Sequence, residues 1–226
     1  NMRFVKPLLQ LRQLGRLCAI GTSPLIIEVS SGLVMLLFNL TILELVGNVG
    51  VAAYGVIANL ALVITAIFNG ASNGAQPLIS RYFGTQQYQK VQKVFLWAAV
   101  FSLSVSVLLC GLSFLFDQSI ASLFNKDNSA ALTQLVVDGI HLYFPGFILM
   151  SFNILCAAFF AAVNAPKQSI AISLLRGILL IVPLIYCLSA WLGMTGVWLV
   201  VPTTELLTLT VSLSLAWRYR KRLRDQ

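Results

Sequence analysis

The chain has 226 residues, of which 58% are hydrophobic and only 10% charged, and its net charge is +8. A soluble domain of this length carries far more charge on its surface, so water is excluded as its solvent. The four cysteines, Cys18, Cys110, Cys156 and Cys187, stand singly without metal or redox spacing and are expected to serve as small apolar helix residues.

The opening NMRFVKPLLQLRQLGRL holds four basic residues and no apolar core followed by a small-residue cleavage site. A cytoplasmic leader or an internal cut is expected there, not a signal peptide. Beyond it come six apolar stretches, at about 21–46, 51–80, 94–116, 132–163, 168–190 and 194–217. Crossing a hydrocarbon core takes about 20 apolar residues in a helix. Lipid offers no partners to backbone amides, so runs this long must be helices. The expected fold is all-α, a polytopic membrane protein forming a single six-helix transmembrane lobe.

In the first helix Glu28 and, eleven residues on, Asn39 share a face with Gly32 and Met35 between them, as a cavity wall would require. An intramembrane carboxyl points to ion coupling; the alternative is a carboxyl that stays protonated or bonded inside the bundle. The Asn39-Leu40-Thr41 sequon lies within the span and should be inaccessible to glycosylation. A turn follows in which Gly47 and Gly50 precede Val51, and the same spacing returns at Gly193, Gly196 and Val197. Shared turn chemistry, chance and an ancient repeat all account for that echo.

Thr65, Asn69, Asn73 and Gln76 make a polar stripe along the second helix beside Gly70 and Gly74. Glycines at that spacing suit close helix packing, while the amides point to a hydrated interior. Pro77 and the length of the uncharged run predict a bend or an extension past the headgroups. The segment 81–93 is expected as a short amphipathic connection. The third helix carries no charge, and a longer outer link covers 117–130. The fourth helix carries His141 near its outer end, then Pro145 and Gly146, with Asn153 deeper. A lone histidine there is expected to be a bonded structural residue.

Arg176 on the fifth helix and Glu205 on the sixth lie sixteen and thirteen residues from their shared turn near Leu192. Antiparallel neighbours would bring them to similar depth, so they are expected to form a structural intramembrane pair.

Thirteen basic residues fall in the leader, in 81–93, at Lys167 and after the sixth helix, whereas only Lys126 falls on the other side. This bias puts both termini in the cytoplasm and argues against nucleic acid; the plasma (inner) membrane is the expected location. No phosphate loop, Ser/His/Asp set, metal-ligand cluster or dinucleotide fingerprint is present, so neither an enzyme nor a cofactor is expected.

The run GTSPLIIEVSSGLVMLLFN and then GNVGVAAYGVIANLALVITAIFNGASNGAQPLISRYFG resemble the second half of bacterial multidrug and toxic compound extrusion (MATE) transporters. YFPGFIL, SLLRGILLIVP and GMTGVWLVVPTTE are similar to later segments of that family in the same order. The resemblance implies the carboxy-terminal lobe of a twelve-helix antiporter that alternates between inward-open and outward-open states. It further implies an amino-terminal six-helix lobe as partner, in the same or a separate chain. Substrates would be small organic cations or amphipathic compounds, expelled in exchange for protons or sodium ions.

By the same resemblance Glu28, Asn39 and Asn153 are the ion-coupling candidates and Thr65, Asn69, Asn73 and Gln76 the cavity-lining ones. The chain departs from members that bind the cation in this lobe, because its fourth helix has no mid-span carboxylate and Asn153 would have to act as a neutral ligand. Other members use an aspartate in the amino-terminal lobe. Two alternatives remain open: a flippase of lipid-linked saccharides on the same scaffold, which would need several basic residues in the cavity, and a non-transporting membrane assembly subunit.

Overall fold

The computed structural model describes the backbone of residues 11–125 and 129–224 and the side chains of residues 29–125 and 129–218. All regular structure among these residues is helical. In chain order the elements are α1 (Leu11–Gly84), α2 (Tyr88–Leu115), α3 (Asp117–Phe124), α4 (Ala130–Tyr143), α5 (Pro145–Ala162), α6 (Pro166–Leu174), a π-turn (Leu175–Leu179) and α7 (Ile181–Arg224). Four stretches are long and apolar enough to cross a membrane: Val29–Gly84, Tyr88–Leu115, Pro145–Ala162 and Pro166–Arg218.

Two of these fold back on themselves, each at a glycine whose backbone is closed to other residues. Gly47 has φ 71 and ψ −160, and Gly193 has φ 58 and ψ −134. Residues 38 and 54 would stand about 24 Å apart on a straight helix. Instead the rings of Phe38 and Tyr54 stack with centroids 5.1 Å apart, so α1 is a hairpin of two antiparallel arms. The second glycine of each echo sits where the returning arm crowds the first. Gly50 faces Val46 and Ile42, and a Cβ on Gly196 would run into the Leu188 carbonyl. The repeated spacing is therefore one turn chemistry used twice.

Two segments differ from expectation, and a third takes the second of the two forms expected of it, an extension past the headgroups. The stretch 132–163 is two helices, because Pro145 cannot donate to the carbonyl four residues back and so opens a new helix at its first position. Phe144 stays right-handed (φ −69, ψ −30), so α4 passes into α5 without reversing. Within 81–93 only residues 85–87 are non-helical: α1 runs to Gly84, α2 starts at Tyr88, and Gln86 at φ 57 closes the tight turn between them. The second arm of α1 runs without interruption through Pro77 to Gly84, about 50 Å at helical rise and longer than the hydrocarbon core.

One apolar core joins both arms of α1 to α4, α5 and α7 through Phe38, Ile57, Phe68, Ile140, Phe147 and Trp198. Small residues let the helices close in. A Cβ on Gly139 would lie 3.0–3.2 Å from Ile57 and the Trp198 ring, and one on Gly146 3.1 Å from the Pro202 backbone. A second cluster gathers Ile79, Val91, Phe160, Val163 and Ile172 with Phe83, Phe95 and Leu215 around it. This places the α1–α2 turn, the α5–α6 turn and the last part of α7 at one end of the bundle. The outward faces are apolar, with Leu62, Leu96, Trp97, Phe101, Leu108 and Trp191 exposed, as lipid requires.

His141 ties the other end together. Its Nε2 lies 2.8 Å from Asp117 Oδ2, and its ring stacks on Phe114 with centroids 4.8 Å apart. The His141 bond first, and the Gln118 N–H second, hold the Asp117 carboxyl below the usual carboxylate range. The Asn125 side chain donates to the Ser129 carbonyl and the Thr133 hydroxyl, fastening α3 to the start of α4.

Candidate functional site

The helix after Pro166 needs one irregularity before it meets the Gly193 turn. Pro183 stands in the first turn of α7 and lacks the N–H that would bond Leu179. The backbone there widens, and the Leu180 N–H donates to the carbonyl of Leu175, five residues back, at 3.2 Å. Arg176 lies within this π-turn, a feature often found at functional positions.

Arg176 meets Glu205 across the two arms: its Nε donates to Oε1 at 3.2 Å and its Nη2 to the same oxygen at 3.0 Å. The other carboxylate oxygen, Oε2, accepts from Asn153 Nδ2 at 2.7 Å, and the same amide donates to the Glu205 backbone carbonyl at 2.9 Å. Since both neighbours are acceptors, the Asn153 amide has one admissible orientation. The Glu205 side chain is 2% exposed and that of Arg176 19%, so the guanidinium covers the buried carboxylate. Such a cluster compensates its charges internally and holds α5, the π-turn and α7 in register.

The structure thus brings Asn153 together with Arg176 and Glu205, and no hydrogen bond among the described residues joins it to Asn39. Asn39 donates to the Met35 carbonyl of its own helix at 2.9 Å. The Oδ1 of Asn153 is buried without a partner, as is Thr204 Oγ1. The Glu28 side chain lies outside the described residues. No signal in the sequence links Asn153 to Glu205, which stand 52 residues apart on different helices.

The polar stripe on α1 divides. Thr65 is half-buried and donates to Met150 Sδ at 3.7 Å, and Gln76 is half-buried. Asn69 and Asn73 are exposed and make no hydrogen bond among the described residues. The adjacent face of the same helix, about 100° round, with Ile64, Phe68, Ser72, Ala75 and Ile79, is buried in the lobe. Among the described residues nothing lies within 4 Å of a Cβ placed on Gly70 or Gly74, so none of the described helices packs on these glycines. The arm therefore turns an unpartnered amide face away from its own core.

A MatE family model matches residues 24–187, more than half of the chain. The chain belongs to the MatE family. It is 23% identical over 234 residues to the multidrug export protein MepA of Staphylococcus aureus strain bovine RF122 / ET3-1, covering 99% of this chain and 48% of that protein. The MepA of strain MRSA252 is also 23% identical, over 87% of this chain and 42% of its own length. Two solved structures share the fold. One is an inward-facing multidrug resistance MATE family transporter of the MOP superfamily (15% identity, TM-score 0.89, 96% of this chain and 50% of that one). The other is an outward-facing conformation of such a transporter (17% identity, TM-score 0.85, 100% of this chain and 50% of that one). The chain spans about half the length of these relatives. It is an all-α, multi-pass membrane protein built as part of a MatE fold.

Proposed function

We propose that this chain is one six-helix lobe, the carboxy-terminal one, of a twelve-helix antiporter. In this reading it exports cationic or amphipathic drugs and metabolites in exchange for protons or sodium ions, by alternating access across the inner membrane with both termini cytoplasmic. The amide face of α1 carries the proposal. Asn69 and Asn73 are exposed, make no hydrogen bond among the described residues, and lie beyond the exposed apolar side chains Leu62, Val63 and Ile67 of the same arm. Each unsatisfied amide facing hydrocarbon costs about 2–7 kcal/mol, so this face suits a hydrated cavity shared with the amino-terminal lobe. The name of MepA, a multidrug export protein, supports drug export, and neighbours of the same fold in inward-facing and outward-facing conformations support alternating access.

Glu28, Asn39 and the free Oδ1 of Asn153 are the coupling candidates of this lobe. A flippase cavity needs free basic groups, and the guanidinium of Arg176 is already bonded to Glu205.

The test uses the full-length transporter in proteoliposomes, with efflux of ethidium driven by an imposed proton or sodium gradient. The paired change Asn69→Leu and Asn73→Leu is expected to lower the efflux rate at least about ten-fold, the loss of roughly 1.4 kcal/mol of cavity interaction, while leaving the melting temperature unchanged. Glu28→Gln is expected to keep folding and lose the gradient dependence. Unchanged efflux and ion dependence in both variants would sink the reading.

A further inference from the structure

Charge in this lobe is separated end from end. Arg81, Lys90, Lys93, Lys167 and Arg218 are all exposed, and they flank the second apolar cluster, which collects the α1–α2 turn, the α5–α6 turn and the last part of α7. The two ion pairs among the described residues, His141 with Asp117 and Arg176 with Glu205, use none of these five. Glu44, just before the Gly47 turn, and Asp117 and Asp138, at the α2–α4 end, lie away from the basic cluster. Among the described residues these five cations have no carboxylate partner, and a cationic cluster at one end of a membrane lobe suits anions from outside it.

The α1–α2 turn concentrates that demand. Its side chains form a surface pocket of about 400 Å³ lined by Gln86, Gln87, Tyr88, Gln89 and Lys90. The Lys90 ammonium sits 5.4 Å from the centroid of the Tyr82 ring, a contact that leaves its outward hydrogens free. Phe83 and Tyr88 meet edge to face with centroids 6.0 Å apart and brace the turn across its two helices. Lys93 follows three residues on, and Arg81 stands on the other side of the turn. Further along α2 the exposed surface becomes apolar, with Leu96 62%, Trp97 73% and Phe101 56% exposed.

We propose that this turn is a binding site for an anionic phospholipid, with the phosphodiester headgroup held by Lys90, Lys93, Arg81 and the glutamine amides and an acyl chain lying along Leu96, Trp97 and Phe101. Charge complementarity selects the phosphate. The unbroken step from basic turn to apolar helix face selects a lipid over a free phosphate ion, which has no use for the apolar half. The site puts the anionic leaflet at the basic end, and does so whatever the transporter carries.

The experiment measures phosphatidylglycerol and phosphatidylcholine binding to the purified full-length transporter in detergent, by native mass spectrometry and by melting temperature. A lysine near an anionic surface contributes about five-fold in binding, so Lys90→Gln with Lys93→Gln is expected to weaken phosphatidylglycerol binding about 30-fold and leave phosphatidylcholine unchanged. The variant Lys90→Arg with Lys93→Arg keeps the charge and should keep the affinity, which separates loss of the site from loss of folding. Equal binding of the two lipids by the wild type, or undiminished phosphatidylglycerol binding in the glutamine variant, overturns the proposal. Displacement of the lipid by millimolar inorganic phosphate overturns it too, because the site would then belong to free anions.

Discussion

Arg176→Leu and Glu205→Leu are each expected to destabilise the folded lobe by about 3–5 kcal/mol, and the double substitution to recover most of that loss. Each single change strands one charge, buried at Glu205 and partly buried at Arg176. With Arg176 gone, the carboxylate of Glu205, 2% exposed, keeps only the Asn153 amide. With Glu205 gone, the guanidinium, 19% exposed, loses the acceptor of both its hydrogen bonds. Removing both leaves packed leucines, and Asn153 still donates to the backbone carbonyl of residue 205. Unfolding curves of the full transporter in mixed micelles, read as a double-mutant cycle, measure the coupling. Additive losses, with no recovery in the double variant, would show that the two charges act independently.

Gly196→Val is expected to cost about 3 kcal/mol or more and to collapse the yield of folded protein. The added Cβ meets the carbonyl of Leu188, which is backbone and cannot rotate aside. Separating the arms would unwind the turn at Gly193, whose φ of 58 and ψ of −134 only glycine adopts without strain. Gly177→Ala provides the contrast, because nothing lies within 4 Å of a Cβ at that position; its stability should change by less than about 1 kcal/mol. Fluorescence-detected size exclusion of the two variants reads the difference. Equal folded yields would mean that the α7 arms do not approach at Gly196.

How far the sequence foretold this lobe differs from one feature to the next. Helical class was legible because lipid permits only two kinds of spanning backbone and uncharged runs of 20 residues or more are rare outside a membrane. The echo of Gly47 and Gly50 in Gly193 and Gly196 was visible as spacing, yet its meaning needed backbone angles. Equal depth counted from a shared turn pointed to Arg176 and Glu205, since antiparallel arms convert sequence distance into height. Asn153 was visible as a polar residue on α5 but its partner was not, because side-chain direction on a helix depends on packing that no local pattern encodes. The π-turn was equally hidden: Pro183 removes one donor, but whether the helix kinks or widens is decided by its neighbours. The glycines at 70 and 74 fit a packing motif, yet no described residue packs on them.

The most direct test of the account is the water accessibility of the α1 amide face in the assembled transporter. On a background lacking Cys18, Cys110, Cys156 and Cys187, single cysteines are placed at Asn69, Asn73 and, as a lipid-facing reference, Leu108, which is 61% exposed on α2. Membranes are then treated with a charged, water-soluble methanethiosulfonate reagent. Thiols react as thiolates, and a position in hydrocarbon supplies neither water nor reagent. The account predicts modification at 69 and 73, slowed by a transported cation, with none at 108. Silence at 69 and 73 alongside a reactive position 108 would contradict it, since the amide face would then lie against lipid and the cavity would have to be sought on another side of the lobe.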